Sequence, residues 1–477
     1  MNNPSLISAD TTAGELEAIL SAAQEAASAL RDSTGSERAS WLRAVGTAID
    51  EERAELLDLA AAESHLARAA LDAEVNRTVF QLEHLAQAAE SGELLRVLAE
   101  PADADYAVAA RPSLVQAMTP LGPVLVFTAS NFPFAFSVAG NDFASALAAG
   151  CPVVVKANPG HLGLSARTAE VVSGALAKAG APEGTFAHIQ GVEPGVAALR
   201  DPRIKACGFT GSVAGGRALF DIAASRPDPI PFYGELGSLN PVFVTPAAAT
   251  ARAEEIAAGF AASITFRGGQ LCTKPGVLIA PEGSGILDSA GAAVAEIEPV
   301  TLLTDRITDA FAEGTKSLSG LPGARVVAGG AGTSPTLVAV PAATVLADGG
   351  SSLEECFGPA AVVIEYRDPA EIGAIARVLG PSLTATIHGE PADAVAESLV
   401  DRLGSLAGRV IWNGWPTGVS VTRALHHGGP YPATTSPTYG SIGAGSAQRW
   451  LRPVTYQNWP VELLPREVRA HVDPSAV

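Results

Sequence analysis

The runs Val124-Leu-Val-Phe127 and Val153-Val-Val-Lys156, with the small-residue stretch Ala135–Ala148 between them, decide the fold class. Unbroken apolar runs of this length read as strands buried on both faces, and the stretch between them has the length of a packed crossover helix. The alternation continues with a helical stretch over Leu164–Ala179, apolar runs at Thr185–Ile189 and Ala206–Thr210, and a helix opening at Val213. Strand and helix in turn predict a doubly wound α/β sheet, which receives ligands beyond the carboxyl ends of its strands.

Upstream, apolar residues recur at helical spacing from Thr12 to about Ser91, as in Leu16, Ile19, Leu20 and Ala23, then Trp41, Leu42, Val45 and Ile49, which predicts a helical layer. Tyr106–Met118 reads as extended. Downstream, Asn240–Val244 opens a second α/β series, with a helix near Ala251–Ile264 and strands at Val277–Ala280, Ala361–Glu365, Leu383–Ile387 and Arg409–Trp412. The boundary between the two series falls near Glu235. A chain of 477 residues exceeds one hydrophobic core, so two or three domains are expected.

A formal net charge of −19 argues against nucleic acid or an anionic membrane surface as the main partner. The start, Met1-Asn-Asn-Pro-Ser-Leu-Ile-Ser, has neither the basic opening nor the apolar core of an export signal. The apolar stretch Leu121–Gly150 is interrupted by Asn131, Asn141 and Asp142, short of a membrane span. Four scattered cysteines without a CxxC pair predict free thiols, a reducing cytoplasmic setting and no structural metal.

Two glycine-flanked turns carry chemistry. Tyr-Gly-Glu-Leu-Gly-Ser-Leu-Asn-Pro (233–241) presents Glu235, and Gly-Gly-Gln-Leu-Cys-Thr-Lys-Pro-Gly (268–276) presents Cys272, a base and a nucleophile on separate loops. Phe209-Thr-Gly-Ser-Val-Ala-Gly-Gly216 follows an apolar run and opens a helix, where glycines let a backbone approach a dinucleotide. Lys156 ends a strand at the ligand edge, and Asn131 follows another in Ala129-Ser-Asn-Phe-Pro-Phe134. Leu353-Glu-Glu-Cys-Phe-Gly-Pro359 sets acids and an aromatic before a Gly-Pro turn. The adjacent histidines of His426-His-Gly-Gly-Pro-Tyr-Pro432 lack the further ligands a metal needs.

Together these segments resemble the aldehyde dehydrogenase superfamily from end to end. Thr128–Gly140, Gly150–Lys156, Asn413–Val419 with His427–Thr434, and Arg452–Asn458 look like its α-ketoglutaric semialdehyde (2,5-dioxovalerate) dehydrogenase branch, which is also similar to NADP-linked fatty aldehyde dehydrogenases. The resemblance implies a Rossmann-like cofactor domain (1–100 and 117–234), an α/β catalytic domain (235–445) and a small β element for oligomerisation (101–116 and 446–477), in a homodimer or homotetramer. It implies NAD(P)-dependent oxidation of an aldehyde to an acid through a thiohemiacetal and a thioester on Cys272. In that scheme Asn131 and the Cys272 backbone N–H hold the oxyanion, and Glu235 activates the hydrolytic water. Gly211, Ser212 and Gly216 line the cofactor loop, Lys156 holds the adenosine ribose or its 2′-phosphate, Glu355 binds the nicotinamide ribose and Phe357 packs on the nicotinamide.

The expected substrate is 2-oxoglutarate semialdehyde. The alternatives are aliphatic or fatty aldehydes, acyl transfer to coenzyme A, and a catalytically silent oligomeric scaffold. Pro159 stands where NAD-preferring relatives carry a glutamate, so NADP is tolerated beside NAD. Two basic residues near the nucleophile stay open: Arg267 reads either as the partner of a substrate carboxylate or as a surface arginine, and Lys274 as a cation that lowers the thiol pKa if it points there. Cys356 reads as a buried thiol without a catalytic role.

Overall fold

The computed structural model describes residues 9–472 and contains three sheets. The first is five-stranded and parallel, in the order Phe186–Ile189, Val153–Lys156, Val124–Phe127, Ala206–Thr210, Phe232–Glu235. All four residues of Val124–Phe127 and of Val153–Lys156 are buried, as expected of unbroken apolar runs covered on both faces. Strand order reverses between Val124–Phe127 and Ala206–Thr210, so the crevice at their carboxyl ends is the ligand position of a doubly wound sheet. Asn131 follows one of these two strands and Gly211 the other.

The second sheet has seven strands in the order Arg325–Ala328, Thr336–Pro341, Ala360–Tyr366, Val277–Pro281, Pro241–Val244, Ser382–His388, Ala407–Trp412. Only Arg325–Ala328, at the edge, pairs antiparallel. The third sheet is antiparallel and joins Leu98–Glu100, Leu114–Pro120 and Leu451–Gln457. The N-terminal layer is four helices, Ala13–Asp32, Gly35–Glu51, Arg53–Ser64 and Arg68–Glu90. Capping boxes at Thr12/Glu15 and Thr34/Glu37 start the first two. Among the described residues no helix is long and apolar enough to cross a membrane.

Two expectations are corrected. The crossover helix begins at Asn141, not Ala135. Residues 131–140 instead form consecutive turns, closed by Asn141 N donating to Ala135 O (2.9 Å), and a Cβ on Gly140 would stand 2.7 Å from that same oxygen. The extended stretch near Tyr106 is shifted as well: its strand is Leu114–Pro120, and the part before it is a loop closed by an isolated bridge between Asp103 and Arg111, with the Arg111 guanidinium over the Tyr106 ring.

Candidate active site

The nucleophile loop begins where helix Pro246–Thr265 ends. Arg267, Gly268 and Gly269 all take left-handed backbone angles (φ 53, 65 and 66°), and a Cβ on Gly269 would lie 2.4 Å from the carbonyl carbon of Gly358. Position 269 therefore admits only glycine, and the turn brings Cys272 to a cavity of about 380 Å³. Behind the loop, Asn240 Nδ2 donates to Cys272 O (2.8 Å) and Lys274 O (2.9 Å), while its Oδ1 accepts from Ser238 Oγ (2.7 Å) and Thr384 N (3.1 Å). The amide thus ties the Glu235 loop, the Cys272 loop and the second sheet into one body. Nothing in the motif itself marked Asn240 as this clamp.

Glu235 ends its strand with Oε2 buried and without a hydrogen-bond partner among the described residues. Burial raises its pKa to about 8; the Arg449 charge offsets part of the rise and Asp142 adds to it. Burial likewise pushes the Cys272 thiol up to about 12, reinforced by Glu235 and Glu355 and opposed by Arg77 and Arg409. Lys274 does not serve the thiol: its buried ammonium donates to the carbonyls of Cys356 (2.8 Å) and Ala360. Cys356 is buried, with its Sγ directed at Phe311 O.

His427, which the sequence presented only within a motif, lies with Nε2 3.7 Å from Cys272 Sγ. Burial, then Arg409, Arg77 and His426, lower its pKa to about 3, so the imidazole is neutral and one ring nitrogen is an acceptor. The segment carrying it is laid along the Glu235 strand. Leu236 N donates to Ala433 O (2.8 Å), and Thr435 Oγ1 accepts from Gly234 N (2.8 Å) while donating to Phe232 O (2.7 Å). Among the described residues no three His, Cys, Asp or Glu side chains assemble as metal ligands.

Asn131 lines the same cavity. Its Nδ2 donates to Gln270 O (3.0 Å), which leaves one amide hydrogen for a ligand beside Cys272. The turns that follow it are pinned by Glu74 from helix Arg68–Glu90, whose Oε1 accepts from Phe134 N (2.8 Å) and Ala135 N (3.1 Å). Glu74 Oε2 accepts from Arg267 Nη2 (2.8 Å), a pair of which 8% and 1% of the two side chains is exposed. Arg267 is therefore no surface arginine, and a carboxylate of this chain already holds it. It also donates to Asn131 O (3.1 Å) and lies 4.5 Å from the Phe132 ring centroid, against the cavity wall.

Four of the six residues expected to meet a cofactor share this cavity, and Lys156 and Gly216 lie outside its lining. Gly211, Ser212, Glu355 and Phe357 line the cavity. A Cβ on Gly216 would stand 2.1 Å from Leu236, and Ser212 Oγ caps helix Val213–Ala224 by accepting from Gly215 N (3.3 Å). Burial raises the Glu355 pKa to about 7, against the pull of Lys274. Lys156 is buried, and its ammonium has no hydrogen bond or ion pair among the described residues; burial lowers its pKa, with Asp10 opposing. An unpartnered buried cation, a helix start and a close-packed glycine turn at the strand-order switch point fit a ligand with phosphate and ribose groups.

The sequence profile of the aldehyde dehydrogenase family matches residues 6–430. The α-ketoglutaric semialdehyde dehydrogenase 2 of Azospirillum brasilense is 41% identical over 464 residues, 94% of this chain and 88% of that protein. The α-ketoglutaric semialdehyde dehydrogenase of Acinetobacter baylyi is 37% identical over 470 residues, 95% and 88% of the two chains. Among solved structures, a 1-pyrroline-5-carboxylate dehydrogenase from Thermus with bound NAD superposes with a TM-score of 0.80 at 21% identity, over 94% of this chain and 86% of that one. Lactaldehyde dehydrogenase from Escherichia coli gives 0.78 at 21%, over 94% and 92%. At such identities the likeness is one of fold.

Proposed function

The chain belongs to the aldehyde dehydrogenase family, and from that premise we propose that it oxidises 2-oxoglutarate semialdehyde to 2-oxoglutarate with NADP or NAD. One observation carries the chemistry: Cys272, Asn131, His427 and the unpartnered carboxylate of Glu235 border a single cavity, with the glycine turn and Glu355 on its other side. The names borne by the two relatives above 35% identity carry the substrate.

In this mechanism the dinucleotide, held by Lys156, Gly211, Ser212, Gly216, Glu355 and Phe357, supplies the hydride acceptor. Cys272 reacts as the thiolate after its proton passes to solvent, and its Sγ, with the neutral His427 imidazole alongside, forms a bond to the aldehyde carbon. The carbonyl oxygen becomes an oxyanion, met by Asn131 Nδ2 and the Cys272 backbone N–H. Once the carbon is oxidised, a thioester remains on Cys272. Ionised Glu235 removes a proton from water, whose oxygen attacks the thioester carbon; the C–S bond breaks and the thiolate departs. Aldehyde, NAD(P)⁺ and water become acid, NAD(P)H and a proton.

Residues 1–100 and 117–234 hold the cofactor in this proposal, and 235–445 carry the nucleophile. Residues 101–116 and 446–477 join subunits of a homodimer or homotetramer in a reducing cytoplasm, where four free thiols persist. A second reading, oxidation of aliphatic or fatty aldehydes, draws on the aromatic lining by Phe132 and Phe136. Reduced-cofactor absorbance with 2-oxoglutarate semialdehyde, pentanal and decanal, each with NAD and NADP, separates the two. The proposal expects the highest kcat/KM for the carboxylated substrate; a preference for decanal would replace it with the second reading.

A further inference from the structure

Behind the aromatic part of the cavity lining lies a charge that has no ion pair among the described residues. Arg77, one turn beyond Glu74 on helix Arg68–Glu90, lies 5.6 Å from the ring centroids of both Phe132 and Phe136, two of the residues that line the cavity with Cys272. Its Nε donates to Gln81 Oε1 (3.2 Å). Neither terminal nitrogen has a hydrogen bond or ion pair among the described residues, and Nη2 is buried.

The orientation of this group is fixed from behind. Asn141 Nδ2 donates to Ser441 O (2.6 Å) and Ser446 Oγ (3.0 Å), which turns Asn141 Oδ1 toward Gln81 Nε2 (3.2 Å) and hence Gln81 Oε1 toward Arg77. One edge of the guanidinium is therefore anchored while its fork stays free. A buried unpaired charge is costly unless it is matched by an opposite one, and a guanidinium fork matches a carboxylate with two parallel hydrogen bonds.

The nearest carboxylate cannot fill that role. Glu74 is committed to two backbone N–H groups and to Arg267, so it neutralises Arg267 and makes no ion pair with Arg77. Arg409, whose charge also acts on Cys272, spends its terminal nitrogens on the carbonyls of Gly418 and Pro416 and retains only a buried Nε without a partner. Arg306 lines the cavity but is exposed to solvent; of the three less exposed arginines near Cys272, namely Arg77, Arg267 and Arg409, only Arg77 keeps both fork nitrogens among the described residues. A five-carbon semialdehyde spans about 5 Å from its aldehyde carbon to its carboxylate carbon, and Phe132 and Phe136 line the same cavity as Cys272.

We propose that Arg77, held by Gln81 and stacked against Phe132 and Phe136, is the specificity residue that binds the distal carboxylate of the aldehyde substrate. This rests on the semialdehyde reading above and names the group that enforces it. Losing a charged hydrogen bond of this kind costs roughly 10- to 100-fold.

The test compares wild type, Arg77→Met and Arg77→Lys on 2-oxoglutarate semialdehyde and on pentanal, a neutral aldehyde of the same length. In Arg77→Met the carboxylated substrate should lose roughly 10- to 100-fold in kcat/KM, mostly through KM, with a loss for pentanal at least about tenfold smaller. Arg77→Lys, with a point charge and no fork, should recover part of the loss. Equal losses on both aldehydes, in an enzyme whose wild type prefers the semialdehyde, would overturn the proposal and leave the substrate reading standing. A wild type without that preference would overturn the substrate reading itself. Should Arg77→Met fail to fold, the rate of Cys272 alkylation by iodoacetamide decides the matter with wild type and Arg77→Lys. Glutarate should protect wild type, and protect Arg77→Lys only at concentrations several-fold higher; identical protection of the two would overturn the proposal.

Discussion

The two walls of the cavity are built in different ways. The side proposed for the dinucleotide is assembled from short contiguous strings: Lys156 at a strand end, Gly211–Gly216 at a strand-to-helix turn, and Glu355 in the turn before Ala360–Tyr366. The aldehyde wall is assembled from side chains that meet across the fold, as when Arg267 and Glu74, 193 positions apart, join to hold the turns after Asn131. The first wall depends on local turns and tolerates loss of a contact. The second depends on buried charges whose removal strands a partner.

The largest expected effect breaks chemistry without breaking either wall. Cys272→Ala should lower kcat by at least about 10⁴-fold while NADPH still binds, as seen by its fluorescence, because the cofactor wall does not use the thiol. Retained turnover would end the covalent account. Asn131→Ala should cost about 10²- to 10³-fold in kcat with cofactor affinity preserved, the loss typical of one oxyanion donor.

The next two substitutions set the walls against each other. Glu74→Gln leaves Arg267 buried without its countercharge and should destabilise the protein by roughly 3–5 kcal/mol, read as a fall in denaturant midpoint. Lys156→Ala, on the dinucleotide wall, should leave that midpoint nearly unmoved and raise KM for NADP about tenfold, more than for NAD. If Lys156→Ala proved the more destabilising of the two, the contrast between the walls would fail.

This contrast also explains what could be read in advance. The alternation of apolar runs and helices located all five strands of the first sheet except Phe232–Glu235, which the Glu235 motif had claimed as a boundary. In the second sheet the strands Arg325–Ala328 and Thr336–Pro341 escaped notice. The former is a half-exposed edge without an apolar run, and the latter is a run whose neighbours carry no motif. The helix expected from Ala135 was shortened by Glu74, a residue that lies far upstream and looks like any helix acid until its partners are seen. His427 was visible within its motif, but its distance from the thiol depends on Thr435 and Ala433 clasping the Glu235 strand. Residues that act through local backbone geometry were legible; those that act through burial and distant pairing were not.

The smallest expected effect concerns pH and stability. Because burial raises the Glu235 pKa to about 8, the folded protein keeps a proton that the unfolded chain releases at ordinary carboxylate pH. Stability therefore falls as pH rises from the ordinary carboxylate range toward about 8, and Glu235→Gln should gain stability relative to wild type over that window, by a few kcal/mol at most. Thermal melts at about pH 5 and pH 9 give the sign; a gap that narrows with rising pH would contradict it.

The most direct test of the central claim, that one cavity oxidises on Cys272 and hydrolyses through Glu235, is intact-mass analysis of Glu235→Gln after rapid mixing with 2-oxoglutarate semialdehyde and NADP. The account predicts one equivalent of reduced cofactor per site, an acyl adduct that maps to Cys272, and slow release without the rise through about pH 8 expected of wild-type deacylation. Full steady turnover with no adduct, or an adduct on another residue, would contradict it.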